Sequence, residues 1–197
     1  HALTDVAVTV LEARPLPTGT PDPLDSRASA LNHASRSILT GLDIWTDLER
    51  QAGIIRQIHV SNQARFGSSL IDGTDVATDT LGYVVENHVI GRALKARADA
   101  LGVVIDAPCE VVSLLREGHT PAVQLRSGQR YHADLVVIAD GSQSELRRQL
   151  GIDADWRRTG QCAVVANISF EGNQAGTAFE RFTPNGPLAL LPLPTTT

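Results

Sequence analysis

The chain has 197 residues, 42% of them hydrophobic, and a formal net charge of -5. That length and apolar share support one large or two small packed domains and argue against global disorder. An acidic balance without a dense Lys/Arg run excludes the electrostatic footprint of a nucleic-acid-binding protein.

The longest apolar runs are too short to span a bilayer. Cys109 and Cys162 form no Cys-x-x-Cys pair, which fits a reducing compartment. The six histidines are scattered singly, so no metal site is expected. Neither a Gly-x-Ser-x-Gly elbow nor a His-Glu-x-x-His motif is present. The chain opens at His1, contains no Met and carries no signal-peptide pattern. It reads as a segment of a longer protein, with truncation expected at both ends.

In chain order, the β-rich run 6–11 predicts a buried parallel strand, with Glu12 at its end. Pro15, Pro17, Gly19, Pro21 and Pro23 enforce a loop. Asp25 or Ser26 is placed to cap a helix from Arg27 to about Thr40, with Leu31, Ala34, Ile38 and Leu42 inward. A second short helix carries Ile44, Trp45, Leu48 and Ala52 on one side. From Ile54 the alternation changes to that of exposed antiparallel strands, around residues 58–60 and 66–70. Residues 84–101 return to α/β character, with Ile90, Ala93, Leu94, Ala98 and Leu101 on one helical face and Gly102 as the stop. Strands are expected at 103–105, 109–115 and 122–125, then a turn at 127–130, then a buried strand at 135–139. Beyond Gly151, three further strands are expected at 163–168, 178–183 and 188–193. The pattern is α/β, with two interleaved subdomains: an α/β one from segments 1–53 and 83–155, and a mainly antiparallel β one from segments 54–82 and 156–197.

Few residues carry a chemical reading. An acid at the end of the second strand of a Rossmann unit accepts from a ribose, so Glu12 is either that acid or a charged strand end. The glycine-rich turn that accompanies such an acid stands about 20 residues upstream. Arg27 is either a bidentate anion contact or a solvated surface residue. Asn87 is either a helix cap or a cofactor-contacting amide. Asp140-Gly141 follows a run suited to a buried strand. The glycine permits close backbone approach and the aspartate can accept from a sugar hydroxyl. Alone, Asp-Gly is also ordinary strand-to-helix punctuation.

The stretch Ala133-Asp134-Leu135-Val136-Val137-Ile138-Ala139-Asp140-Gly141-Ser142-Gln143-Ser144-Glu145-Leu146-Arg147-Arg148 resembles the Asp-Gly fingerprint of class A FAD-dependent aromatic hydroxylases. Three further stretches narrow the resemblance to the ubiquinone-biosynthesis hydroxylases, of the 2-polyprenyl-6-methoxyphenol type. They are Leu24-Asp25-Ser26-Arg27-Ala28-Ser29-Ala30-Leu31, Gly82-Tyr83-Val84-Val85-Glu86-Asn87 and the run from Phe179 to Pro192. The resemblance implies a Rossmann-like FAD-binding subdomain interleaved with a β substrate subdomain. It implies that Glu12 holds the adenosine ribose of FAD and that Arg27 and Asn87 contact the cofactor. Asp140 and Gly141 would stand beside the pyrophosphate and ribityl chain, with Arg147 as a brace.

The implied reaction is NAD(P)H- and O2-dependent hydroxylation of a polyprenyl phenol through a flavin C4a-hydroperoxide, with the cofactor carrying the chemistry. The implied surroundings are a ubiquinone-biosynthesis complex and a cytoplasmic location with peripheral contact to a bacterial inner membrane. The family's Gly-x-Gly-x-x-Gly turn and its later Gly-Asp segment are not among these residues, so the 197-residue chain alone is expected to hold FAD poorly. The alternative is a flavin-free fragment or homologue acting as a non-catalytic partner.

Overall fold

The computed structural model describes residues 6–17, 27–169, 171 and 176–194. In chain order its strands and helices are β1 (Thr9–Leu11), β2 (Ala28–Leu31), α1 (His33–Gly41), α2 (Trp45–Glu49), β3 (Gly53–Ile55), β4 (Gln57–Asn62) and β5 (Ser68–Asp72). They continue with β6 (Gly82–Glu86), α3 (Asn87–Ala100), β7 (Val104–Asp106), β8 (Val111–Glu117), β9 (Thr120–Leu125), β10 (Arg130–His132), α4 (Glu145–Gln149), β11 (Thr177–Thr183) and β12 (Gly186–Leu190). The fold is α/β with mostly antiparallel pairing. Contacts divide the chain into two units, each assembled from two separated segments: His1–Gly19 with Gly102–Ala163, and Thr20–Leu101 with Val164–Thr197. The segments 27–53 and 83–101, expected to pack with 102–155, therefore group with β4, β5, β11 and β12.

In the first unit β1 pairs in parallel with β7, Leu11 opposite Asp106. Beside this pair in sequence, β8, β9 and β10 form an antiparallel meander. Ala122, Val123 and Leu125 of β9 are buried, as are Cys109 and Leu146. Helix α4 is fastened to β8 by one side chain. Gln149 donates its Nε2 to the Val112 carbonyl at 2.8 Å and accepts from the Leu114 amide at 3.2 Å. This occurs next to a bulge between Val111 and Ser113 on β8, the edge strand of the meander, so the side-chain amide meets backbone groups of a sheet edge.

In the second unit β6 lies between β2 and β3. Its residues Tyr83 and Val85 pack with Ile44, Trp45, Leu48 and Val89, while Val84 faces Ile55 and Ala178. Burying each such side chain contributes roughly 1.5–3 kcal/mol. A four-stranded sheet, β12-β11-β4-β5, completes the unit, with β11 parallel to β4 and antiparallel to β12. Gly53 is obligatory here, because a Cβ at that position would lie 2.0 Å from the Pro192 carbonyl oxygen.

Several expectations are corrected. Arg27 does not open a helix: residues 28–31 add to β6 as a strand, and α1 begins only after Asn32, whose side chain accepts from the Ser35 amide. The caps Asp25 and Ser26 lie outside the described residues. On α1 Leu39 packs inward, whereas Ile38 is 65% exposed. On α3 the inner face is Val89, Ile90 and Ala93, whereas Leu94 and Leu101 are exposed. The run 6–11 is not buried, since Val6, Val8 and Val10 face outward. The runs 135–139 and 163–168 form no strand and are largely exposed. Both have strand composition, but neither has a ladder partner among the described residues, and an unpaired run cannot be held as sheet.

Candidate functional site

Glu12 stands just past the carboxyl end of β1, the side on which parallel α/β sheets present ligand groups. Its backbone is held twice: its N–H donates to the Asp106 carbonyl at 3.0 Å, and its carbonyl accepts from the Cys109 amide at 2.6 Å. The Glu12 carboxylate accepts from the Arg14 amide at 2.8 Å. This bond turns the chain back on itself and fixes one carboxylate oxygen. Beside it lies a cavity of about 480 Å³ lined by residues including Ala13, Asp106, Pro108, Cys109, Leu125 and Arg126. This hollow is open to solvent, and Ala13, next to Glu12 in sequence, stands in its wall.

The charged groups around this cavity pair with one another. Arg126 makes a bidentate contact with Glu110, at 2.5 and 2.6 Å. The guanidinium holds the Glu110 carboxyl below its ordinary range. Tyr131 donates its hydroxyl to the Asp106 carboxylate at 2.5 Å, which pushes the phenol's ionisation upward. Burial, with Asp106 alongside, raises the Cys109 thiol in the same direction.

Asp140 and Gly141 also belong to the first unit. They form an exposed turn rather than the end of a buried strand. Gly141 has φ of 90°, a backbone conformation that other residues adopt only at a cost. Ser144, 4% exposed, then caps α4 by accepting from the Arg147 amide at 3.0 Å.

Arg27 and Asn87 meet in the second unit. The Asn87 amide donates to the Arg27 carbonyl at 2.8 Å, and the Asn87 Oδ1 accepts from the Ser29 hydroxyl at 2.6 Å. Asn87 is the first residue of α3, not its cap. Glu86 holds the cap position without a side-chain bond to the helix. The Asn87 side chain instead ties α3 to β2. The structure thus joins Arg27 with Asn87, and it places Glu12, Asp140 and Gly141 within the other unit.

Sequence reasoning missed Asp106, Tyr131, Glu110 and Arg126. The signal for Asp106 was present: it ends a short β-rich run just as Glu12 does. Tyr131 had none, since its role depends on a meander that returns it to the end of β7.

The model of one family, described as FAD binding domain, matches residues 4–192. The chain belongs to this FAD-binding family. Among curated relatives, 3-demethoxyubiquinol 3-hydroxylase of Escherichia coli (strain K12) is 30% identical over 189 residues, covering 95% of this chain and 48% of that protein. Ubiquinone hydroxylase UbiL of Rhodospirillum rubrum is 33% identical over 173 residues, covering 86% of this chain and 40% of that one. The chain thus spans about half the length of the curated relatives it matches. A solved structure of 2-methyl-3-hydroxypyridine-5-carboxylic acid oxygenase superposes with a TM-score of 0.70 at 19% identity, covering 94% of this chain and 49% of that one. At that identity the likeness concerns the fold, and it agrees with the α/β class read from the sequence.

Within the FAD-binding family frame, the residues around Glu12 fit the adenosine end of such a cofactor. An anchored acid stands at the end of a parallel strand, next in sequence to a residue that lines an open hollow.

Proposed function

We propose that the protein is a FAD-dependent monooxygenase that hydroxylates a polyprenyl phenol in ubiquinone biosynthesis, using NAD(P)H and O2. The observation that carries the reading is the fixed Glu12 at the carboxyl end of β1, beside the 480 Å³ cavity, in a chain of the FAD-binding family. The names of the relatives from Escherichia coli and Rhodospirillum rubrum supply the substrate class.

In this reading Glu12 accepts from the adenosine ribose. The family resemblance assigns Arg27 and Asn87 to the cofactor as well. Gly141 keeps the chain free of a side chain where the pyrophosphate and ribityl portion passes, and Asp140 accepts from a hydroxyl there. When bound, FAD would supply the activation of dioxygen after reduction by NAD(P)H, and the protein would hold it in place. A polyprenyl phenol is encountered at a membrane surface, so peripheral contact with a bacterial inner membrane and company in a biosynthetic complex belong to the same proposal. Among the described residues no helix is long and apolar enough to cross a membrane.

The test is a deletion strain complemented by the full-length gene, with quinone intermediates profiled and flavin measured in the purified protein. The expected result is restored ubiquinone and bound FAD, with Glu12→Ala weakening FAD retention by about tenfold, as loss of a charge-assisted hydrogen bond predicts. A protein isolated without flavin that leaves the intermediates unchanged would instead mark a non-catalytic partner.

A further inference from the structure

Tyr131 and Asp106 lie outside every motif that points to flavin binding, yet they form a close hydrogen bond beside the cavity. Asp106 uses its two ends differently. Its carbonyl accepts from the Glu12 amide, while its carboxylate accepts from the Tyr131 hydroxyl at 2.5 Å. Cys109 closes the loop: its amide donates to the Glu12 carbonyl at 2.6 Å, and its thiol faces the same carboxylate. Asp106 and Cys109 both line the cavity. Tyr131 arrives from β10, paired to β9 at Val123, so the meander determines where its hydroxyl stands.

β1 and β7 are three residues each, and at their carboxyl end Glu12 bonds through its backbone to Asp106 and Cys109. Whatever holds those two residues therefore holds the acid.

We infer that Tyr131, acting through Asp106, is a positioning residue that sets Glu12 and the cavity wall for the adenosine-diphosphate part of the cofactor. The inference rests on the FAD reading for its ligand, but the restraint on Glu12 is measurable without one.

The experiment uses the full-length protein, first stripped of nucleotide. Amide hydrogen exchange at Glu12 and Cys109 should quicken about tenfold in Tyr131→Phe, the scale of one lost hydrogen bond to a charged group. Binding is then titrated with FAD and with ADP. Both should weaken by the same factor, about tenfold, because the loss lies in the portion they share. Asp106→Ala should reproduce the effect. Asp106→Asn, which keeps an acceptor for Tyr131, should retain most of the affinity.

In Tyr131→Phe combined with Asp106→Ala, the loss should be no greater than in either single variant, since the two act as one unit. Should Tyr131→Phe unfold, the contrast between Asp106→Ala and Asp106→Asn decides the matter alone. Unchanged exchange at Glu12, or FAD weakened without ADP, would overturn the positioning role. Quickened exchange in a protein whose parent binds neither FAD nor ADP would overturn the flavin reading and leave the restraint intact.

Discussion

The runs 82–86 and 135–139 both centre on a pair of valines, and their environments are opposite. In the first, Tyr83, Val84 and Val85 are 3%, 1% and 0% exposed. In the second, Leu135 and Val137 are each 77% exposed. The difference lies in their neighbours. β6 has β2 on one side and β3 on the other, and both of its faces are covered. The later run has no strand partner among the described residues. Apolar composition makes a segment fit for burial, but flanking backbone partners decide whether it is buried.

The largest test of that contrast places a charge in each run. Val85→Asp should cost more than about 4 kcal/mol and unfold the second unit, since a buried, unpaired carboxylate replaces a packed methyl pair. Val137→Asp should change stability by less than about 0.5 kcal/mol. Denaturant midpoints of the two variants measure this directly. A comparable loss at Val137 would mean that the whole protein covers 135–139.

A smaller test uses the glycine that follows each run. Gly141→Ala should destabilise by about 1 kcal/mol, because its φ of 90° is strained for alanine although the space around it is open. Gly91→Ala, in an exposed turn of α3 with nothing to meet the new Cβ, should stabilise by about 1 kcal/mol. Opposite signs in the melting temperatures would confirm that these glycines serve the backbone differently.

The mildest test is titration. Cys109 and Tyr131, both in the first unit, ionise above their ordinary values of 9.0 and 10.0 in the fold. The folded state therefore keeps protons the unfolded chain releases. Their contribution is intact below about pH 9 and declines as pH rises through the raised values. In the second unit Asp72 is held below its ordinary 3.8 by hydrogen bonds, the largest from Gln57. Its contribution is present above that value and declines on acidification. Glu110 of the first unit behaves in the same sense. Alkaline weakening should accordingly appear in amide exchange of the first unit before the second, and Tyr131→Phe should reduce it.

Much of the architecture was legible because it is local. β8 and β9 follow from their apolar runs and α3 from its apolar spacing and Gly102, whereas β10 falls where the turn 127–130 was expected to lead on toward 135–139. The hairpin of β11 and β12 was equally visible. What escaped the sequence depends on distant partners. Residues 28–31 read as the first turn of a helix, and only β6 makes them a strand. Asn87 reads as a cap, and only Ser29 shows its side chain to be a brace. At the site, Glu12 was recognisable by its place after a β run. Tyr131 was not, since nothing near it in the chain announces Asp106.

The pairing of β11 with β4 has a consequence in time. Thr177 and Gln57, partners in the sheet, are 120 positions apart. At about 5–20 residues per second of synthesis, β4 is made roughly ten seconds before its partner exists. During that interval its edge facing β11 is an open template, and only the hairpin with β5 is available to it. The order of manufacture therefore leaves a strand edge exposed that the finished sheet conceals. A nascent chain stalled between 72 and 177 should be captured by strand-binding chaperones, and release should coincide with emergence of β11.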